Sequence, residues 1–153
     1  MSSLPYLAPT VELPRDGGET LNIADLRPNK VVLFFYPKDN TPGCTKEAIG
    51  FTEAAEEFAK LGVTLVGVSK DSVKSHEKFI EKQNLNVILL SDENGTVCED
   101  FGVWAEKSMY GKTYMGIERS TFLIDGNGHV QREWRKVKVP GHVEVVLEAA
   151  KNL

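Results

Sequence analysis

The chain has 153 residues, of which 41% are hydrophobic and 26% are charged, and its formal net charge at pH 7 is -4. This length fits one domain, residues 1–153, with a sizeable core, and the composition is ordinary for a globular protein. The negative charge gives no electrostatic reason to expect nucleic acid or an anionic membrane as a partner, and no apolar run is long enough to cross a bilayer.

The two cysteines and the first residues of the chain bear on its cellular compartment. The cysteines are far apart and form no C-x-x-C motif, a pattern unlike that of a disulfide framework or a zinc site. The first five residues contain neither a basic segment nor an apolar segment of the secretory type. A reducing cytoplasm is therefore the simplest expected location.

The first part of the chain alternates extended segments with helical patterns. Residues 16–19, Asp-Gly-Gly-Glu, predict a turn between two short extended pieces, and so an N-terminal β-hairpin. A loop or short helical turn at 24–29 precedes a continuous apolar run at 30–36, which is typical of a strand buried on both faces. Apolar residues at helical spacing predict a long helix over 45–61, closed by Gly62.

The second part continues this alternation. The predicted elements are a strand at 63–68, a helix at 72–84, a strand at 87–90, a turn at 91–95, a short helix ending at 101, an irregular segment at 104–116, a strand at 118–125, a hairpin turn at 126–128, a returning strand at 129–137 and a final helix at 140–153 with Pro140 near its first turn. Strands that alternate with helices imply a sheet covered on both faces. The fold class is α/β, with a central mixed sheet, helices on both faces and an N-terminal hairpin, an order that resembles the thioredoxin-like fold.

Cys44 stands where the buried strand gives way to a helix. The strand at 31–36 ends just before the segment 37–44, and a helical pattern opens at Thr45. A thiol at a helix N-terminus faces unpaired backbone N–H groups and the positive end of the helix dipole. Both features favour the thiolate, which is the nucleophilic form of cysteine.

Several separated phrases of the chain resemble the peroxiredoxin family. Pro37, Thr41 and Cys44 fill the family pattern P-x-x-x-T-x-x-C. Arg119 opens the phrase R-x-T-F-x-I-D, where the family places an arginine from a distant strand. Further segments are similar to the bacterioferritin-comigratory, or peroxiredoxin Q, subfamily: 36–45, 66–69, 74–79 and 134–139.

The resemblance implies a thiol-dependent peroxidase that reduces hydrogen peroxide and organic hydroperoxides, without a cofactor or metal. Cys44 would attack the peroxide and become a sulfenic acid. The Thr41 hydroxyl, Arg119 and the backbone N–H groups of Gly43 and Cys44 would hold the peroxide, and Pro37 would shape and shield the pocket. Such donors act most strongly in the transition state, where negative charge builds on the departing oxygen. The subfamily also leans to a monomer.

The resolving cysteine of most subfamily members is missing here. By resemblance it would lie five residues after Cys44 or in the next helix, and these positions hold Ile49 and Ile80. The other cysteine, Cys98, has the apolar neighbours of a buried thiol. We therefore expect a one-cysteine cycle, in which an external thiol, either thioredoxin or glutathione with glutaredoxin, reduces Cys44. The alternative is a Cys44–Cys98 disulfide, which requires Cα atoms within roughly 7 Å.

Two other functions fit a reactive cysteine. A monothiol oxidoreductase acting on disulfides is one, although the segment 41–44, Thr-Pro-Gly-Cys, lacks the second cysteine of C-x-x-C. A non-enzymatic redox sensor or chaperone is the other, although no long exposed apolar stretch supports it.

Three other polar features have simple structural interpretations. Glu47 is interpreted as a favourable charge near a helix start, with a catalytic role as the alternative. His76 is interpreted as a helix-surface or core residue. The basic residues at 132–138 are interpreted as a solvated strand edge, with a nucleic-acid patch as the alternative.

Overall fold

The computed structural model describes residues 3–153. The strands are β1 (Tyr6–Leu7), β2 (Glu12–Pro14), β3 (Thr20–Asn22), β4 (Lys30–Phe35), β5 (Val63–Ser69), β6 (Ile88–Ser91), β7 (Trp104–Met109), β8 (Lys112–Ile117), β9 (Ser120–Ile124) and β10 (His129–Trp134). The α-helices are α1 (Pro42–Glu53), α2 (Ala55–Lys60), α3 (Val73–Gln83), α4 (Val97–Asp100) and α5 (His142–Lys151), and a 3₁₀ helix spans Ile23–Leu26. No helix of this part of the chain is both long and apolar enough to cross a membrane.

A six-stranded mixed sheet has the order β1-β10-β9-β4-β5-β6. Its central strand β4 is parallel to β5 and antiparallel to β9, which places the start of α1 at the middle of the sheet. Residues 31–35 of β4 are all buried, because packed layers cover both sides of the strand. The predicted mixed sheet and the strand buried on both faces are confirmed.

Alternating side chains of β4 enter two separate cores. Val32 and Phe34 belong to the core that also contains residues of α1, α2, α3 and α5, and we call this side the helical face. Val31, Leu33 and Phe35 belong to the core that contains residues of α4, the 3₁₀ helix and the β2–β3 hairpin, and we call this side the hairpin face. Helices do cover both faces, but the hairpin face carries only short ones.

The N-terminal hairpin and the helix after β4 agree with prediction in type but not in every boundary. β2 and β3 pair across the predicted turn. The helix expected over 45–61 is instead two helices, α1 and α2, separated at Ala54, and it begins earlier, at Pro42. Proline suits the first helical position because that residue needs no N–H partner. Gly62 follows α2 with φ +73°, as a closing glycine should.

The prediction of an irregular segment at 104–116 is wrong. β7 and β8 form a regular antiparallel hairpin, joined at Tyr110 and Gly111. Both turn residues have positive φ, 53° and 78°, the conformation that a two-residue hairpin turn needs. The last helix also differs from prediction, because it begins at His142 and Pro140 lies before its N-cap residue, Gly141.

Candidate functional site

The start of α1 presents Cys44 on the helical face of the sheet. Thr41 is the N-cap residue of α1, Pro42 is its first helical residue, and Cys44 is buried. Because the first N–H groups of a helix have no intrahelical partner, those of Gly43 and Cys44 are open to a ligand. The positive end of the helix dipole therefore acts at the Cys44 thiol.

Arg119 reaches the same thiol from the segment between β8 and β9. Its Nη2 atom donates a hydrogen bond to Cys44 Sγ at 3.3 Å. A Cβ atom on Gly43 would lie 3.2 Å from Arg119 Nη2, so glycine at this position lets the guanidinium approach the helix start. The structure thus brings together three of the site residues that the sequence predicts: Cys44, Gly43 and Arg119.

Thr41 and Pro37 belong to the loop between β4 and α1. The Thr41 hydroxyl donates to the Lys38 carbonyl oxygen at 2.8 Å and does not cap the helix. This bond fixes the hydroxyl proton and leaves the oxygen free to accept a further hydrogen bond. Thr41 is half-buried, whereas Pro37 is exposed at the start of the loop.

Glu47 lies one helical turn after Cys44 and holds the other side of Arg119. Its Oε1 atom accepts a hydrogen bond from Arg119 Nη1 at 2.7 Å. Glu47 is 0% exposed and lies beyond the first turn of α1, so the interpretation as a simple helix-start charge is wrong. Burial raises the pKa of the Glu47 carboxyl to about 7, although Arg119 acts in the opposite direction. Its second oxygen, Oε2, has no hydrogen-bond partner within the described residues.

His142 of α5 faces that unpartnered oxygen. Its Nε2 atom lies 4.0 Å from Glu47 Oε2 and 2.8 Å from the Thr121 hydroxyl. Burial, with a further contribution from the charge of Arg119, lowers the pKa of His142 to about 4, so the ring is neutral at pH 7. The sequence analysis singled out neither Thr121 nor His142. Thr121 lay within the phrase that identified Arg119, whereas no local pattern distinguished His142.

The chemical consequence is a thiol held against a fixed cation. Arg119 cannot lose its charge at working pH, and its planar fork bonds Cys44 and Glu47 at the same time. Glu47 therefore fixes the orientation of the guanidinium. Aimed donors of this kind stabilise negative charge as it develops during a displacement reaction.

Cys98 occupies a different environment. It lies in α4, is 0% exposed and belongs to the core of the hairpin face, as its predicted burial requires. Burial raises the pKa of the Cys98 thiol, and the neighbouring Asp92 carboxylate adds to this effect. The central sheet therefore separates Cys98 from Cys44, which lies on the helical face.

Comparisons with known proteins agree with this geometry. The AhpC/TSA family model matches residues 6–133. A putative peroxiredoxin bcp of Coxiella burnetii is 54% identical over 140 residues, covering 92% of this chain and 93% of that protein. Peroxiredoxin Bcp of Bacillus subtilis is 51% identical over 146 residues, with coverage of 95% and 93%.

Solved structures give the same result. A structure of the Xanthomonas campestris bacterioferritin comigratory protein, from work on its alkyl peroxide reduction activity, has a TM-score of 0.88 and 46% identity, covering 93% of this chain and 90% of that one. A PrxQ mutant of Xylella fastidiosa has a TM-score of 0.90 and 40% identity, with coverage of 99% and 98%.

Proposed function

Since the chain belongs to the AhpC/TSA family and is a thiol-dependent peroxidase of the peroxiredoxin type, we propose that it reduces peroxides through a one-cysteine cycle at Cys44. The Cys44 thiolate attacks one oxygen of the peroxide, the O–O bond breaks, and the other oxygen leaves as water or an alcohol after taking up a proton. Cys44 is left as a sulfenic acid. Hydrogen peroxide and organic hydroperoxides are the proposed substrates.

The proposed peroxide site uses the open groups around the thiol. Arg119 and the N–H groups of Gly43 and Cys44 donate hydrogen bonds to the peroxide oxygens, and the Thr41 oxygen accepts a hydrogen bond from the peroxide O–H. Pro37 shapes and shields the pocket. The support for these roles is the 3.3 Å contact between Arg119 and Cys44 and the uncapped start of α1.

The main support for a one-cysteine cycle is that the central sheet separates the two thiols. Cys44 lies in the core of the helical face and Cys98 in the core of the hairpin face. A disulfide needs Cα atoms within roughly 7 Å and Cβ atoms that point towards each other. A Cys44–Cys98 bond would therefore require substantial local unfolding.

The spacing of two cysteines in a relative agrees with the same proposal. In the Xanthomonas campestris protein, serine has replaced cysteines at its positions 48 and 84, which are 36 residues apart. The residue 36 positions after Cys44 in this chain is Ile80, and the residue five positions after it is Ile49. Neither isoleucine can form a disulfide, so an external thiol must complete the cycle.

We propose that this thiol is thioredoxin, or glutathione with glutaredoxin. A first thiol forms a mixed disulfide with Cys44 and releases water, and a second thiol restores Cys44 and leaves as the oxidised reductant. We also propose that the protein works in a reducing cytoplasm, where both cysteines stay free thiols. We further propose that residues 1–153 act as one domain and as a monomer.

The test is oxidation by one equivalent of hydrogen peroxide in the presence of a sulfenic-acid trap, followed by peptide mapping without reductant. We expect a trapped adduct on Cys44 with Cys98 still a free thiol. The variant Cys44→Ser should consume no peroxide, and Cys98→Ser should give the same adduct as wild type. A stoichiometric Cys44–Cys98 disulfide would refute the one-cysteine cycle, and an unreactive Cys44 would refute the assignment of the site.

The reductant is tested separately with the oxidised protein. Thioredoxin with its reductase and glutathione with glutaredoxin are supplied in parallel, and the return of the Cys44 thiol is followed with time. Recovery with either system supports the external-thiol step. Failure of both, with intact sulfenic acid, would contradict it.

A further inference from the structure

A buried polar cluster lies next to the loop that leads from β4 into α1. Asp39 from this loop and His76 from α3 are its central residues, with 6% and 0% of their surface exposed. We call them the Asp39–His76 couple. Neither residue has a part in the proposed peroxide site, so two buried ionisable side chains remain to be explained.

Every polar atom of the couple has a close partner. Asp39 Oδ1 accepts from the Tyr36 hydroxyl at 2.7 Å, and Asp39 Oδ2 accepts from the Ser75 hydroxyl at 2.8 Å. His76 Nδ1 lies 2.8 Å from the same Oδ2 atom, and His76 Nε2 lies 2.9 Å from the Leu90 carbonyl oxygen.

These partners determine how many protons the couple carries. The Leu90 carbonyl can only accept, so His76 Nε2 must carry a proton. The short contact between His76 Nδ1 and Asp39 Oδ2 also needs a proton, because an unprotonated nitrogen and a carboxylate oxygen would face each other with lone pairs. Burial, with the charge of Asp39, raises the pKa of Tyr36 well above its ordinary range, so the phenol remains a donor. The couple therefore holds one proton more than a neutral imidazole and a carboxylate would.

The other charged groups near the couple are Asp71 and Lys70. Asp71, which follows β5, accepts from the Asp39 backbone N–H at 2.8 Å and from the Ser69 hydroxyl at 2.7 Å. The nearby cation Lys70 is directed elsewhere, towards Glu99 at 2.9 Å. From α3 the facing polar group is the neutral Ser75 hydroxyl, and from β6 it is a backbone carbonyl.

A metal ion is the competing occupant of this cluster. Asp39, Asp71 and His76 each offer one ligand atom, and these atoms lie within 4.8 Å of one another. The same atoms already have hydrogen-bond partners: His76 Nδ1 contacts Asp39 Oδ2, and Asp71 Oδ2 accepts two hydrogen bonds. A cation would have to break these contacts, whereas a shared proton completes them.

The couple also determines the position of the segment that precedes Cys44. Asp39 stands two residues before Thr41, the N-cap residue of α1, and is fixed through its backbone N–H as well as both side-chain oxygens. Asn40 between them has φ 60°, a left-handed conformation in which the chain reverses sharply. An anchor at Asp39 therefore sets the direction in which Thr41 and the start of α1 leave the loop.

We propose that the Asp39–His76 couple shares one proton across its short contact and acts as a positioning pair that holds the Thr41 loop in place for the peroxide reaction. This inference rests on the proposed function for the role of Thr41. The pair acts through the loop and does not touch the peroxide. Small errors in the placement of reacting groups cost large factors in rate.

The first arm of the test is the second-order rate constant of Cys44 oxidation by hydrogen peroxide. We expect Asp39→Ala and His76→Gln to lower it roughly 10- to 100-fold. Asp39→Asn should stay within about three-fold of wild type, because its amide can donate to a neutral Nδ1 and still accept from Tyr36. His129→Gln, in β10 next to the edge strand β1, is the matched histidine control and should leave the rate unchanged. Wild-type rates in folded Asp39→Ala protein would overturn the positioning role.

The second arm observes the proton itself by NMR of histidine-labelled protein at pH 7. Wild type should show a slowly exchanging low-field proton in the Asp39–His76 contact, and Asp39→Asn should show a neutral ring protonated only at Nε2. Absence of that proton in wild type would overturn the proposal, as would a change in the ring signals on EDTA treatment, which would indicate a metal. Wild type that keeps this proton but fails to react with peroxide would instead refute the proposed function.

Discussion

The two cysteines of this protein make a natural comparison, because both are buried in the first turn of a helix and yet differ in chemistry. At Cys44 the helix start is left open, and Arg119 supplies a cation at 3.3 Å. At Cys98 the helix start is closed by an anion, because Asp92 accepts from the backbone N–H groups of Val97 at 3.2 Å and of Cys98 at 2.8 Å.

The difference shows that two helix starts in one protein can offer a thiol opposite electrostatic environments. The unpaired N–H groups of a helix can stabilise a thiolate only if no other anion occupies them. Asp92 occupies them at α4, and its charge together with burial raises the pKa of the Cys98 thiol. At α1 the side chain that would ordinarily cap the helix, Thr41, bonds the Lys38 carbonyl instead.

The largest effect should come from removing the cation that distinguishes the two thiols. Arg119→Gln keeps hydrogen-bonding atoms but loses the charge next to Cys44, and we expect the rate of peroxide reduction to fall roughly 100- to 1,000-fold. The second-order rate constant with hydrogen peroxide, measured by stopped flow, is the readout.

Arg119→Lys is the matched control, because lysine keeps the positive charge but lacks the planar guanidinium group. Because lysine cannot bond Cys44 and Glu47 at once, we expect an intermediate rate. A rate for Arg119→Gln close to wild type would show that the helix start alone activates Cys44. The charge of Arg119 would then not explain the difference between the two cysteines.

Glu47 and His142, which lie next to Arg119, should make the free energy of unfolding depend on pH in two opposite ways. His142 has a folded-state pKa of about 4, below its ordinary 6.5, so its contribution to stability is present above pH 6.5 and is lost as pH falls towards 4. Glu47 has a folded-state pKa of about 7, above its ordinary 4.5, so its contribution is present below pH 4.5 and is lost as pH rises through 7. Each effect is worth roughly 3 kcal/mol in full.

Urea unfolding across pH 4 to 8 measures both dependences. Relative to wild type, His142→Asn should lose less stability as pH falls from 6.5 to 4, and Glu47→Gln should lose less as pH rises from 4.5 to 7. Differences from wild type that do not vary with pH would contradict the assigned protonation states.

The sequence predicts the placement of Cys44 at a helix start and next to Arg119 well, because the determinants are local or lie in one motif. A buried strand, a helix start and Cys44 follow one another along the chain, and Arg119 stands in a recognisable phrase. The supporting residues are harder to predict. Carboxylates are rarely buried, so the position of Glu47 in the core runs against the usual expectation, and His142 comes from a distant helix with no pattern around it.

The one clear error in the predicted fold has a similar origin. Tyr110 and Gly111 form a two-residue turn, but tyrosine is unusual at a position with positive φ, so the hairpin lacks the common Asn-Gly signal. The two strands on either side have one buried residue between them, Ile117, and show no strong apolar alternation. Local sequence therefore indicated an irregular segment.

A smaller effect is expected at Thr41, the N-cap residue whose side chain makes no capping hydrogen bond to α1. Thr41→Val removes the hydroxyl and keeps the side-chain shape, so we expect the rate of peroxide reduction to fall several-fold or more while the protein stays folded. Thr41→Ser keeps the hydroxyl and should remain close to wild type. The rate constant and the melting temperature are measured together. Wild-type rates in Thr41→Val would remove this residue from the peroxide site.

The smallest effect on catalysis should come from Cys98, and this variant completes the comparison. Cys98→Ser places a hydroxyl in an apolar core beside Asp92, so we expect a loss of unfolding free energy of about 1–2 kcal/mol but a rate of peroxide reduction within about two-fold of wild type. Urea unfolding and the peroxide rate constant separate these two outcomes. Turnover that survives with an external thiol would show that Cys98 contributes packing alone. Turnover that stops after one equivalent of peroxide would make Cys98 the resolving residue, and the protein would then have to unfold locally during each cycle.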